Sequence, residues 1–131
     1  MNLSKNFTLE ELTHTSTNIS NIPSNKEINN LKELCENILQ PLRDKIGESI
    51  HINSGFRSKE VNKAVGGVST SGHLLGTCAD ITRGSKESNK EMFEWIKNNC
   101  KFRQLINEKD FTWVHVEYRE GDNKMQILNI N

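Results

Sequence analysis

With 131 residues, 34% of them hydrophobic and 26% charged, the chain is sized for one soluble domain around one core. Its 17 basic and 17 acidic side chains cancel. That balance argues against a nucleic-acid binder that works by phosphate neutralisation and against a polybasic membrane anchor.

Met1 to Thr8 holds no apolar run of the signal-peptide kind, and no stretch approaches the ~18 apolar residues of a membrane span. The protein is therefore expected to be cytoplasmic as synthesised. Cys35, Cys78 and Cys100 are odd in number and form no Cys-x-x-Cys pair. They read as buried free thiols in a reducing compartment rather than as a disulfide framework.

Thr8-Leu-Glu-Glu11 is a capping-box sequence and predicts a short helix over 9–14. Ser24-Asn-Lys-Glu27 is a second capping box. From it Ile28, Leu31, Leu34, Cys35, Ile38, Leu39, Leu42 and Ile46 recur at helical spacing up to a stop at Gly47. Pro41 falls inside this run and is expected to kink the helix or loosen one turn, because it removes a donor and crowds the preceding turn. Residues 50–53 alternate and predict a strand. Ser58 caps a helix over 59–65, closed by Gly66-Gly67. Residues 78–82 read as a strand, and Ser85 caps an amphipathic helix over 86–99. Residues 104–107 predict another strand. Thr112 to Tyr118 alternates, with Trp113, His115 and Glu117 on one face and Val114, Val116 and Tyr118 on the other. Glu120-Gly-Asp-Asn123 is a turn signal, after which Met125 to Ile130 is expected to pair back as the last hairpin strand. Helices first and strands later predict an α+β fold, an antiparallel sheet backed by helices, in one domain over 1–131.

The residues able to do chemistry concentrate in two places. In Ser71-Gly-His-Leu-Leu-Gly-Thr-Cys-Ala-Asp80, His73 and Asp80 are separated by six residues, and Gly72 and Gly76 let the backbone bend between them. His115 stands in Trp113-Val-His115. Two imidazoles and one carboxylate form a set that zinc accepts with one coordination position left for water, which is the catalytic rather than the structural arrangement. Manganese or cobalt could substitute. His14 and His51 lack such company and read as ordinary histidines. Arg57, after a strand and a glycine turn, offers a guanidinium fork for a carboxylate.

Four stretches carry a family resemblance: Ser54-Gly-Phe-Arg-Ser58, Asn62-Lys-Ala-Val-Gly-Gly67, Ser71-x-His73-x-x-Gly76-x-x-Ala79-Asp80, and Trp113-Val-His115. Together they resemble the zinc D-alanyl-D-alanine carboxypeptidase family of metallopeptidases, in particular its small single-domain phage and bacterial murein peptidases. Asn6-Phe-Thr-Leu-Glu-Glu11 and Leu39-Gln-Pro-Leu-Arg43 are also similar to it. The resemblance implies the fold shared with hedgehog signalling domains. It also implies zinc on His73, Asp80 and His115, and Arg57 gripping a substrate carboxylate or carbonyl. Ser71 is expected to hydrogen-bond substrate or orient its loop.

Several relatives place an acidic residue three positions before the last zinc histidine; here that position is Thr112. Glu108, at the end of the strand before it, is similar to the catalytic glutamate of relatives with a longer connection and is the expected general base. Asp110 and Glu117 are the alternatives. The expected function is hydrolysis of peptidoglycan stem peptides by a monomeric zinc peptidase, at a terminal D-Ala or inside the stem. Without a leader or wall-binding domain it would be a phage endolysin or prophage product that reaches the wall after release. The rival expectation is a non-catalytic zinc-binding wall or virion module of the same fold, motivated by Thr112.

Overall fold

The computed structural model describes residues 1–131. The elements run α1 (Leu9–Leu12), α2 (Asn25–Leu34), a π-helical turn (Cys35–Leu39), α3 (Gln40–Ile46), β1 (His51–Ser54) and α4 (Lys59–Ala64). A 3-10 turn (Gly72–Leu75), β2 (Cys78–Thr82), α5 (Lys86–Asn99), β3 (Gln104–Glu108), β4 (Trp113–Glu117) and β5 (Gln126–Ile130) follow. The α+β expectation holds, and each predicted element is found within a few residues of its predicted ends.

Local chemistry accounts for the helix starts. Thr8 and Ser24 each accept from the backbone N–H three residues on, while Glu11 and Glu27 accept from the cap's own N–H. Ser58 and Ser85 cap α4 and α5 through their hydroxyls. Each such cap contributes ~1 kcal/mol. Pro41 acts as expected on the turn before it. There the helix widens over Cys35–Leu39, and the N–H of Gln40 reaches back to the carbonyl of Cys35. A wider turn relieves the clash of the proline ring with the preceding turn, and the chain then continues as α3.

The sheet has five strands in the order β1-β2-β4-β3-β5. Three of its pairings are antiparallel. The last departs from expectation. Residues Gln126–Ile130 do not form a hairpin with β4 but lie parallel to β3, with Gln104 opposite Gln126 and Glu108 opposite Ile130. The return loop crosses the start of β3, where Met125 N–H donates to Phe102 O at 2.9 Å and Gln126 N–H to Arg103 O at 3.1 Å. β3 thereby becomes an interior strand and β5 a largely exposed edge.

Strand alternation divides the sheet into two faces. Ile52, Ala79, Ile81, Leu105, Val114 and Val116 point into the core with Leu31, Leu34, Ile38, Leu42, Met92 and Ile96 from the helices. The other face carries Cys78, Asp80, Ile106, Glu108, Trp113, His115 and Glu117. Register sets them in rows: Asp80 beside His115 beside Ile106, Cys78 beside Glu117 beside Gln104, and Glu108 beside Trp113. A bulge between Ile52 and Ser54 brings Ser54 opposite Asp80 on β2.

Candidate metal centre

His115 and Asp80 are cross-strand neighbours, and His115 Nδ1 lies 2.8 Å from Asp80 Oδ1. His73 arrives from the 3-10 turn and places Nε2 3.3 Å from Asp80 Oδ2. One carboxylate thus meets two imidazoles through separate oxygens, and the rings stand edge to face with centroids 5.4 Å apart. The three ligands expected from sequence come together, His73 in a turn and Asp80 on a strand as predicted.

The ring of His73 is fixed from behind. Its Nδ1 lies 2.6 Å from the carbonyl oxygen of Gly55, which can only accept, so Nδ1 donates and Nε2 is the nitrogen turned to the site. The backbone around it is equally tied. Ser71 Oγ accepts from His73 N–H at 3.1 Å, Arg57 N–H donates to His73 O at 2.9 Å, and Asn30 Nδ2 donates to Leu75 O at 2.9 Å. Burial pushes the Asp80 carboxyl up, but hydrogen bonds and charge from His115 and His73 outweigh it and hold the carboxyl well below the usual range. An ionised carboxylate beside an imidazole of fixed orientation is donor chemistry that fits a divalent zinc ion.

One further donor was not singled out from sequence. Cys78 lies two residues before Asp80 on the same strand face, and its sulfur and the ring nitrogens of His73 and His115 all lie within 4.8 Å of one another. Period-two spacing on β2 was the signal that could have found it. It is fully buried, and burial first, then the charges of Asp80 and Glu117, push the thiol well above its ordinary range. Cys78 therefore stands as a further donor within reach of the two imidazoles, one that would have to release its proton to bind an ion. All three cysteines are free; Cys35 and Cys78 are buried as expected, whereas Cys100 is only half-buried.

Arg57 is held on three sides. Nε donates to Ser54 Oγ at 3.0 Å, Nη1 to Asn62 Oδ1 at 3.3 Å, and Nη2 lies 3.5 Å from Asp80 Oδ2. Asn62, buried, also donates from Nδ2 to Val68 O at 2.9 Å, joining Arg57 to the loop after α4. Arg57 and Asp80 line a cleft of about 280 Å³ with His14, Val61, Val65 and Trp113. His115 lines a second cleft of about 370 Å³, which also contains Ser71, Gly72, Glu108 and Glu117.

The three acidic candidates occupy unlike places. Glu108 ends β3 on the His115 face; burial and then the charge of Asp80 raise its pKa, while His115, Lys109 and His73 oppose the rise. Asp110 is exposed, pairs with Lys86 Nζ at 2.8 Å and borders a different groove with Asn89 and Phe111. Glu117 is buried and committed. It accepts from Thr77 Oγ1 at 2.5 Å and from Arg119 Nε at 3.0 Å, and faces Arg103 Nε at 3.6 Å. Thr112 donates through Oγ1 to Lys109 O at 2.6 Å and so belongs to the turn.

That turn is unusual. Lys109, Asp110 and Phe111 have φ of 48°, 53° and 60°, consecutive left-handed residues with no glycine among them. Each costs ~1–2 kcal/mol. The cost is met by contacts: Asn107 Oδ1 accepts from Phe111 N–H at 2.6 Å, and the buried Asn89 donates to Phe111 O at 2.8 Å and Thr112 O at 3.1 Å. Phe111 also stacks edge-on against Phe93 at 5.5 Å.

Comparison with known proteins places the chain in a family. The family model described as peptidase M15 matches residues 5–117. A zinc D-Ala-D-Ala carboxypeptidase of Streptomyces albus G is 45% identical over 49 residues, a stretch covering 37% of this chain but only 19% of that relative.

Proposed function

The chain belongs to the peptidase M15 family, and we propose that it is a zinc-dependent hydrolase of peptidoglycan stem peptides. The observation that carries the reading is the convergence of His73, Asp80 and His115 on one sheet face with Glu108 beside them. His73 through Nε2, Asp80 and His115 would hold the ion. When bound, zinc supplies a Lewis acid for the scissile carbonyl and lowers the pKa of a coordinated water.

The chain's own groups do the rest. Glu108 accepts a proton from the attacking water and returns it to the leaving amine; a carboxyl raised by burial suits both halves of that transfer. Arg57, fixed by Ser54 and Asn62, turns its remaining N–H groups to a substrate carboxylate or carbonyl. Ser71 shapes the histidine turn and borders the cleft where substrate would lie. Every group named comes from a single protomer, so a monomer suffices. No helix is long and apolar enough to cross a membrane. The place of action is the cell wall, and an endolysin or prophage product is the context we propose.

The test is digestion of purified muropeptides with and without chelator, products read by mass. Wild type is expected to cleave and to lose cleavage on metal removal. Glu108→Gln is expected to lose ~10²–10⁴-fold in rate with its zinc content unchanged. Equal inactivity of both proteins, each loaded with zinc, would establish a non-catalytic module instead, the reading that Thr112 favours.

A further inference from the structure

The two clefts meet at the His115–Asp80 pair. Asp80 borders one and His115 the other. A peptide laid across these side chains therefore has room on both sides of the reacting carbonyl. The sides differ in charge. The first offers Arg57, each of whose nitrogens already faces a protein oxygen. The second carries Arg103, Arg119 and Lys124 at its end remote from Glu108.

Glu117 organises that end. It lies beneath Gly72, where an added Cβ would stand 2.2 Å from Oε2. Its carboxylate fixes Arg119 through Nε at 3.0 Å and faces Arg103 Nε at 3.6 Å. The terminal nitrogens of Arg119 have no protein partner, and Lys124 has none. Arg103 gives one terminal nitrogen to Asp122, which does not line the groove. One buried carboxylate thus aligns two guanidinium groups beside an unpaired ammonium, leaving an excess of positive charge and an unoccupied planar fork. Such a fork matches a carboxylate.

We infer that this groove is a second substrate subsite, for a carboxylate on the peptide segment lying on the opposite side of the scissile bond from Arg57. The inference rests on the peptidase reading and deepens it, because a site with room and charge on both sides is built to cut within an acidic peptide and not only to trim its end. His115 to Glu117 spans ~7 Å of strand, about two residues of an extended peptide, so the carboxylate sits some two to three residues from the cut bond.

The experiment uses paired synthetic stem-type peptides, identical except that the carboxylate at this distance is free or amidated. The zinc-loaded wild type is expected to favour the free acid by about tenfold or more in kcat/KM. Arg119→Gln and Lys124→Gln are each expected to shrink that ratio, and the double variant to bring it near one. Equal rates on both peptides in the wild type, or variants that slow both equally, would overturn the subsite. Binding of the same pair to zinc-loaded Glu108→Gln, followed by calorimetry, separates the two readings. Absence of all cleavage sinks the peptidase, whereas an Arg119-dependent preference in binding sustains the subsite and equal binding removes it.

Discussion

Two connections frame the site, and they solve the same problem by opposite means. The segment from Gly55 to Thr77 brings His73 and Arg57 to the sheet by placing glycine where backbone must come close. The turn Lys109–Phe111, which joins Glu108 to the strand of His115, has no glycine and is left-handed throughout. The first is fitted by removing side chains. The second is fitted by adding contacts from Asn89, Asn107 and Thr112. Geometry near a reacting centre can therefore be written locally, residue by residue, or imposed from a distance by a neighbouring helix.

The contrast is broken most severely at Gly55. A Cβ there would stand 2.3 Å from the backbone oxygen of Leu12, which cannot step aside. Gly55→Ala is expected to destabilise by about 3 kcal/mol and to weaken zinc binding, since the Gly55 carbonyl orients His73. Chemical denaturation and zinc titration check both, and a stability within experimental error of wild type would refute the close-approach argument. Next is Asn89→Ala, which strips the carbonyls of Phe111 and Thr112 and the N–H of Arg83 of their partner. It should cost about 2 kcal/mol and lower kcat more than it raises KM, because the turn carries Glu108. A loss confined to stability, with kcat intact, would detach the turn from the chemistry. The smallest effect has the opposite sign. Lys109→Gly should stabilise by up to ~1 kcal/mol by relieving a left-handed side chain, so the glycine-free turn gains from the residue that the other connection cannot lose. A destabilised Lys109→Gly would show that the turn is not under strain.

The same contrast explains what could be read from the chain. The capping boxes at Thr8 and Ser24, the loosened turn before Pro41 and the alternation of β4 depend on near neighbours and were visible. So was the set His73, Asp80 and His115, because glycines punctuate its first half and strand alternation orders its second. The partner of β5 was not visible. A turn signal after β4 looks like a hairpin, and only backbone bonds to Phe102 and Arg103 carry the chain across to β3. Nor could alternation rank Glu108 above Asp110. A left-handed turn without glycine has no local signature, and its handedness is what sends Asp110 toward Lys86 while Glu108 stays beside His115. Asn89 was silent for the same reason: it is a polar residue on a helix until the backbone it serves is known.

The crossing of the chain at β5 has a mechanical result. Without its last strand the sheet would finish at β3, and Glu108 would ride on a selvedge, free to fray and twist with each breath of solvent. Stitched along its length by residues 126–130, and pinned where Lys109 N–H meets Ile130 O at 2.7 Å, β3 is splinted on both flanks. A modest, mostly exposed tail thereby steadies the strand that ends in Glu108.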